Sequence, residues 1–166
     1  FRVTCYVQCY NQEAYIEDAL AGILRQKTDF AFKIVIYDDA STDATQSIIK
    51  SYKNSYPSLI FPYFAEFNHE KEIPRVEHED MVEGKYVAFC EGDDYWIDEH
   101  KLQIQYDLME RSECQLCIHP AVILFENTGA EDIFCYYGEN ESIINQSLVF
   151  ELKNQFAPTA SYFISK

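Results

Sequence analysis

The chain has 166 residues, 48% of them hydrophobic, and a formal net charge of −15 at pH 7. This length and apolar content allow a single domain with its own core over residues 1–166 and exclude an intrinsically disordered chain. The negative charge excludes nucleic acid as the partner, because a phosphate backbone is bound mainly through clustered Lys and Arg.

Strand-like and helix-like patterns alternate along the first 110 residues. Runs rich in β-branched and aromatic residues predict strands, and apolar residues at helical spacing predict helices. The predicted elements are strands at 2–9, 33–37, 59–64 and 86–90 and helices at 13–26, 41–52 and 98–111. Ser41 and Asp98 are expected at the N-caps of the second and third helices. Pro62 places the third strand at an edge of the sheet.

The strand–helix alternation predicts a mostly parallel sheet with helices on both faces. We therefore expect an α/β fold of three layers. Beyond residue 111 the patterns are weaker, and residues 66–83 are expected to form a loop and a helix. The later predictions are strands near 115–125, 132–137 and 159–165 and a helix near 141–152.

Polar and acidic residues follow three of the predicted strands, which is where ligands bind in open α/β sheets. They are Tyr10 and Asn11 after the first strand, Asp38 and Asp39 after the second, and Glu91, Gly92, Asp93 and Asp94 after the fourth. Because the carboxyl ends of parallel strands meet at one edge of a sheet, we expect the five acidic side chains to converge there.

Five carboxylates at one edge repel each other, and protonation or a bound cation relieves the repulsion. Carboxylate oxygens suit Mg²⁺ or Mn²⁺, which often bridge a carboxylate to substrate phosphates. A divalent cation would therefore let an acidic protein hold an anionic diphosphate. The alternative interpretation is that such residues only cap helices and form turns, and we favour it for Ser41 and Asp43.

Three segments, in this order, resemble the family 2 glycosyltransferases, which have the Rossmann-like GT-A fold. The segments are Val7-Gln8-Cys9-Tyr10-Asn11, Ile36-Tyr37-Asp38-Asp39-Ala40-Ser41-Thr42-Asp43, and the run from Glu83 to Trp96 that contains Glu91-Gly92-Asp93-Asp94. The resemblance covers residues 3–110 and weakens afterwards. It implies that residues 1–110 form the nucleotide-sugar-binding part of a GT-A-type domain.

The resemblance also assigns roles to individual residues. The expected nucleotide-sugar-binding residues are Tyr10, Asn11, Asp39, Glu91 and Asp93, and the expected metal ligands are Asp93 and Asp94. Asp39 is expected to accept a hydrogen bond from the base, such as uracil N3–H. Residues 91–94 correspond to the family's Asp-x-Asp element, which contacts the ribose and holds the metal. Which of Asp93 and Asp94 is the direct ligand stays open.

The activity that the resemblance implies is that of an inverting, metal-dependent glycosyltransferase. Such an enzyme moves a sugar from a nucleoside diphosphate sugar, here expected to be UDP-linked, to a saccharide or lipid-linked acceptor, for example in surface polysaccharide synthesis. Family members carry the catalytic base well downstream, so we expect this chain to be truncated at that region and assign no catalytic residue. No apolar run is long enough for a membrane-spanning helix, so we expect at most peripheral membrane association. The six cysteines are interpreted as free thiols rather than as a metal or redox site, which favours a reducing, cytoplasmic location. The oligomeric state is not indicated.

Two other classes of protein stay open. One is a module that binds a nucleotide sugar without turnover, which the missing base allows. The other is a Mg²⁺-dependent receiver domain of signalling proteins, which also combines an acidic edge with a parallel sheet. A receiver domain would place an acidic pair after its first strand, where this chain has Tyr10 and Asn11, so it ranks below the other two.

Overall fold

The computed structural model describes residues 1–69, 79–144, 147, 149 and 155–166. The strands are β1 (Val3–Cys9), β2 (Phe32–Asp38), β3 (Ile60–Phe64), β4 (Tyr86–Glu91), β5 (Leu116–Cys117), β6 (Ala121–Phe125), β7 (Ala130–Phe134) and β8 (Phe163–Ser165). The α-helices are α1 (Ile16–Leu24), α2 (Thr45–Ser55) and α3 (Lys101–Arg111), and short 3₁₀ helices lie at Glu79–Met81 and Thr159–Ser161.

Among the described residues, six strands form one sheet in the order β3-β2-β1-β4-β8-β5. Strands β1 to β4 run parallel, and β8 runs antiparallel to both β4 and β5. The mostly parallel α/β sheet that the sequence predicts is therefore confirmed. Strand β3 lies at its edge, where Pro62 costs no inner ladder hydrogen bond. Strands β6 and β7 pair with each other as a separate antiparallel hairpin.

The main core lies on one face of this sheet. Val3, Cys5 and Val7 of β1 point to that face and pack against buried residues of α1, α2 and α3, among them Leu20 and Leu102. Alternate residues of a strand point to opposite faces, so this face takes every second residue of β1. No helix within the described ranges is long and apolar enough to cross a lipid bilayer.

The opposite face of the sheet packs against described residues of the connection from β3 to β4. Tyr6 and Tyr37 lie on that face with Met81 and Val82, and the 3₁₀ helix Glu79–Met81 belongs to this connection. The two crossovers β1-α1-β2 and β2-α2-β3 step in the same direction along the sheet, and right-handed crossovers then place both helices on one face. The return from β3 to β4 steps in the other direction, and its described residues Met81 and Val82 accordingly lie on the other face.

Helices α2 and α3 begin later than predicted. Helix α2 begins at Thr45 rather than near Ser41, and α3 begins at Lys101 rather than at Asp98. Neither helix has a side-chain hydrogen bond from its N-cap residue. Instead, the carboxylates of Asp43 and Asp98 accept hydrogen bonds of 2.9 and 2.8 Å from backbone N–H groups two residues later. Local turns of this kind occupy the positions where caps were expected.

The second half of the chain departs further from the predictions. The single strand expected near 115–125 is two strands, β5 and β6, and the strand expected near 159–165 is a 3₁₀ helix followed by β8. Strand β7 lies within a few residues of the strand expected near 132–137. The elements expected near 66–83 and 141–152 fall partly outside the described residues.

Two substitutions on α3 test the assignment of the core. Leu102 is fully buried whereas Ile104, on the same helix, is 47% exposed. Leu102→Ala should lower the free energy of unfolding by about 2–5 kcal/mol, because it leaves a cavity in the core. Ile104→Ala should change it by about 0.5 kcal/mol or less. Urea unfolding followed by circular dichroism measures both, and equal losses would contradict the assigned face of α3.

Candidate functional site

A cleft opens at the carboxyl edge of β1, β2 and β4. The register of the sheet aligns Cys9 with Asp38 and Gln8 with Glu91, so the residues after these strands lie side by side. The cleft has a volume of about 500 Å³, within the range of small-molecule sites. Its lining residues are Gln8, Cys9, Tyr10, Gln12, Asp39, Asn68, Glu91 and Asp93. The cleft therefore joins three of the segments that the sequence singles out.

Tyr10 and Asn11 both follow β1, but Tyr10 lines the cleft whereas Asn11 bonds to the neighbouring loop. Tyr10 lines the cleft and is 46% exposed. Asn11 has a left-handed backbone with φ of 51°, a conformation that Asn tolerates well. Its N–H donates to Ser41 Oγ at 2.9 Å, and its Oδ1 accepts from the N–H of Thr42 at 2.8 Å. Asn11 thus joins the loop after β1 to the loop after β2, and it is not among the residues that line the cleft.

Further hydrogen bonds connect the same two loops. The N–H of Gln12 donates to Thr45 Oγ1 at 2.8 Å, and the N–H of Glu13 donates to Asp43 Oδ2 at 3.0 Å. In return, the N–H of Ala44 donates to Glu13 Oε2 at 2.7 Å. Asp43 therefore bridges the loops after β1 and β2, and it also forms part of the turn that leads into α2. The floor of the cleft is pre-organised because its backbone donors already have partners.

The two aspartates after β2 are separated by the alternation of the strand. Asp39 lines the cleft, as expected, but Asp38 is fully buried away from it. Asp38 Oδ2 accepts hydrogen bonds from the N–H of Ser41 at 3.0 Å and from Gln46 Nε2 at 2.7 Å. Asp38 therefore lies at the expected edge of the sheet, but its carboxylate does not face the cleft, because successive residues of an extended chain point to opposite sides.

Asp39 is held in place by residues that follow β3. Its carboxylate accepts hydrogen bonds from the backbone N–H of His69 at 3.0 and 3.2 Å, and His69 Nδ1 lies 3.0 Å from Oδ1. The Tyr37 hydroxyl lies 3.3 Å from the same oxygen, and Asn68 Nδ2 donates to the Asp39 carbonyl at 3.0 Å. Asp39 is only 3% exposed, so its orientation is determined before any ligand binds.

Four residues of the site were not singled out by sequence reasoning: Gln8, Gln12, Asn68 and His69. A usable signal existed for Asn68 and His69, because β3 is also parallel and its carboxyl end reaches the same edge. The Gln12 Oε1 atom is buried without a hydrogen-bond partner in the described residues. An orphaned acceptor in a cleft is a position where a ligand donor can bind.

Residues 91–94, called the acidic loop below, form a tight turn at the other side of the cleft. The N–H of Asp94 donates to the carbonyl of Glu91 at 3.1 Å, and the N–H of Gly92 donates to the carbonyl of Gln8 at 2.9 Å. A Cβ atom on Gly92 would lie 2.2 Å from Gln12 Oε1 and 2.7 Å from Cys9 Cβ. Glycine is therefore required there for the loop to approach β1.

The carboxylates of the acidic loop repel one another. Partial burial, followed by the charges of Asp94 and Asp93, raises the pKa of Glu91, while a hydrogen bond with Thr159 lowers it. Partial burial and then the charge of Asp93 raise the pKa of Asp94. Glu91 and Asp93 line the cleft, whereas Asp94 is not among its lining residues.

Within the described ranges, no group of three or more His, Cys, Asp or Glu side chains is arranged so that it could hold a metal ion by itself. The carboxylates of the acidic loop would therefore need a ligand to supply further oxygen atoms to a divalent cation. Mg²⁺ typically takes one or two carboxylates from the protein and fills its other positions with phosphate oxygens and water. The repulsion among Glu91, Asp93 and Asp94 is the kind that such an ion relieves.

The sequence matches glycosyl transferase family 2 over residues 4–151. The uncharacterized protein Rv1520 of Mycobacterium tuberculosis is 42% identical over 124 residues, which are 74% of this chain and 36% of that protein. The putative teichuronic acid biosynthesis glycosyltransferase TuaG of Bacillus subtilis is 31% identical over 112 residues, which are 68% of this chain and 43% of TuaG. The chain thus spans less than half the length of these relatives.

Solved structures are similar over about two thirds of the chain. The crystal structure of Staphylococcus aureus TarS 1–349 in complex with UDP-GlcNAc is similar with a TM-score of 0.61 and 28% identity, over 71% of this chain and 34% of that one. The mannosyltransferase PcManGT from Pyrobaculum calidifontis gives a TM-score of 0.62 at 23% identity, over 69% of this chain and 34% of that one. The GT-A fold expected from the sequence is therefore confirmed.

Replacing Glu91 with Gln should stabilise the metal-free fold at neutral pH. Because the pKa of Glu91 is raised in the folded state, its ionisation lowers the free energy of unfolding as the pH rises from the unfolded pKa to the folded one. We expect a higher unfolding temperature for Glu91→Gln than for wild type at pH 7 in EDTA. The difference should vanish below about pH 3.5, where the carboxyl is protonated in both states. Thermal unfolding by circular dichroism measures it.

Glu110→Gln is a matched control with the opposite sign. Hydrogen bonds from Lys85 and then Tyr86 lower the pKa of Glu110, so its ionised form stabilises the fold at pH 7. Loss of that charge should lower the unfolding temperature or leave it unchanged. A Glu91→Gln protein that is less stable than wild type at pH 7 would contradict the repulsion assigned to the acidic loop.

Proposed function

Because the chain belongs to glycosyl transferase family 2, we propose that it binds the nucleoside diphosphate sugar donor of an inverting, metal-dependent glycosyltransferase. The donor is UDP-linked and the acceptor is a saccharide or lipid-linked hydroxyl, as in surface polysaccharide synthesis. The curated relatives extend well beyond the matched region, so the activity of the whole protein is part of the proposal. All six cysteines are free thiols, which favours a reducing, cytoplasmic setting.

One observation carries the proposal. The same cleft has the buried Asp39 carboxylate on one side and the acidic loop, with Glu91 and Asp93, on the other. A hydrogen-bond acceptor at one end suits a nucleobase N–H, and a cation site at the other suits a diphosphate. The likeness to TarS, which was crystallised with UDP-GlcNAc, supports a uridine nucleotide as the ligand.

The base side of the proposed site depends on the orientation of Asp39. The backbone N–H of His69 holds its carboxylate, which leaves lone pairs for the N3–H of uracil. Tyr10, which is exposed at the mouth of the cleft, covers one face of the base. Asn11 contributes by holding the two loops together rather than by contacting the nucleotide.

The diphosphate side of the proposed site depends on the acidic loop. Asp93, which lines the cleft, and Asp94 hold the cation, and Glu91 contacts the ribose or the cation from within the cleft. When bound, Mg²⁺ or Mn²⁺ supplies Lewis-acid stabilisation of the leaving nucleoside diphosphate. Gly92 keeps the loop close to β1, so the diphosphate and the base reach their partners together. No general base is assigned to this chain.

Nucleotide binding to the chain tests the proposal. Isothermal titration calorimetry should show that UDP binds in the presence of Mn²⁺, that EDTA abolishes this binding, and that GDP and CDP bind more weakly. Asp93→Asn should remove the effect of Mn²⁺, while Asp132→Asn, on the exposed strand β7, should bind like wild type. Binding that ignores Mn²⁺, or no binding of any of the three nucleotides, would contradict the proposal.

The role of Asp39 has its own test. An Asn at this position can still accept from the N–H of His69, but it also presents an N–H₂ donor to the base. Asp39→Asn should therefore reduce the preference for UDP over CDP by about tenfold to a hundredfold, the range for losing a hydrogen bond to a charged group. The ratio of the two affinities is the useful measurement, because a general loss of structure would lower both. An unchanged ratio would refute base recognition by Asp39.

A further inference from the structure

A buried lysine packs against Trp96, which follows the acidic loop in the chain. Lys101, the first residue of α3, is 5% exposed, and no carboxylate in the described part of the chain pairs with it. Its Nζ lies 3.9 Å from the centroid of the Trp96 ring and donates to Gln105 Oε1 at 2.7 Å. A desolvated ammonium over an aromatic face makes a strong cation–π contact. Burying a charge without an opposite charge costs free energy, so a buried lysine at this position indicates a role beyond packing.

Trp96 connects this lysine to the acidic loop. It lies two residues after Asp94 and is 3% exposed. Its Nε1 donates to the carbonyl of Ala160 at 3.0 Å, and its own carbonyl accepts from Arg25 at 2.5 Å. A Cβ on Gly22 would lie 2.8 Å from the Trp96 nitrogen, so α1 also packs directly on this backbone. The end of the acidic loop is therefore clamped through Trp96.

Gln105 closes a ring of contacts around the same lysine. Its Oε1 accepts from Lys101, and its Nε2 donates to the carbonyl of Ser161 at 2.8 Å. Ser161 belongs to the 3₁₀ helix Thr159–Ser161, which also receives the Trp96 hydrogen bond. Thr159, in that helix, hydrogen-bonds to Glu91 of the acidic loop. Lys101 thus touches both supports that reach the loop, one through Trp96 and the other through Gln105.

We propose that Lys101 is a positioning residue whose ammonium charge holds Trp96 and, through it, the acidic loop in the conformation that binds metal and nucleotide. The identity of the ligand that binds the loop rests on the proposed function, whereas the contact between Lys101 and Trp96 does not. The charge matters because the attraction to the ring disappears when the ammonium loses its proton. The hydrogen bond to Gln105 also weakens, since a charged donor bonds more strongly than a neutral one.

Proton loss from this lysine is accessible near neutral pH. Burial lowers the pKa of Lys101 to about 8. The titratable groups that face it are Cys5 on β1, Cys90 on β4, Cys117 on β5 and His119 beyond β5. Burial raises the pKa of each of these thiols and lowers the pKa of His119 to about 4. Between pH 6.5 and 8.5 these neighbours stay neutral, so a change in charge there belongs to Lys101.

Trp96 is the single tryptophan of the chain, so its fluorescence reports on this contact. Wild-type emission should change with one proton transition near pH 8, and Lys101→Met should abolish the transition. Lys27→Met is the matched control, because Lys27 is exposed and pairs with Glu99 at the surface. The control should titrate like wild type. A transition that persists in Lys101→Met would overturn the assignment.

The positioning role is tested at the loop and at the ligand. Compared at the same pH, amide hydrogens of residues 91–96 should exchange faster in Lys101→Met than in wild type. At pH 7 the wild-type affinity for UDP with Mn²⁺ should exceed that of the variant by about tenfold, as expected for losing one desolvated cation–π contact. The ratio of the two affinities should approach one at about pH 9, where Lys101 has lost its proton. Taking the ratio at each pH cancels the titration of the ligand itself.

A merely structural role predicts a different pattern. It would lower the unfolding temperature of Lys101→Met while the affinity ratio stays independent of pH. The positioning role predicts an unfolding temperature close to that of wild type, because an apolar chain replaces an unpaired buried charge. Equal exchange over residues 91–96 together with a constant ratio would overturn it. Failure of wild type to bind UDP with Mn²⁺ would contradict the proposed function, and the exchange comparison would still decide the role of Lys101.

Discussion

The parallel pairing of β1 with both β2 and β4 is the constraint on which the rest of the structure depends. It aligns Cys9 with Asp38 and Gln8 with Glu91, so the chain leaves three strands at the same level of the same edge. Every feature of the site follows from this alignment, because loops that begin side by side can bond to each other. A slip of one residue would exchange the faces of a strand and move Asp39 out of the cleft.

The loops at that edge differ in how their polar and charged groups are balanced. The loops after β1 and β2 exchange hydrogen bonds through Asn11, Glu13 and Asp43, so each of these three side chains has a partner in the facing loop. In the acidic loop after β4, burial and mutual repulsion raise the pKa of Glu91 and Asp94. Among the described residues, no cationic side chain contributes to these two pKa shifts. The edge therefore combines a rigid floor with an unbalanced charge, which is the arrangement that a cation and an anionic ligand can complete.

Much of this could be predicted from the sequence, because periodicity and strand order act over short distances. The apolar runs identified β1 to β4, and the rule for carboxyl ends located Tyr10, Asp39 and the acidic loop at one edge. The division of work between Asp38 and Asp39 could not be predicted, since it depends on which way the last residue of β2 points. The ring around Lys101 was also missed, because it joins residues up to 64 positions apart whose contact only tertiary packing creates.

The central claim is that one cleft holds a nucleobase at Asp39 and a metal-bound diphosphate at the acidic loop. Anomalous diffraction from crystals grown with UDP and Mn²⁺ would examine it most directly. We predict one manganese peak within coordination distance of Asp93 or Asp94, with the uracil ring hydrogen-bonded to Asp39. Manganese and nucleotide found away from this cleft, or at two unconnected places on the surface, would contradict the account.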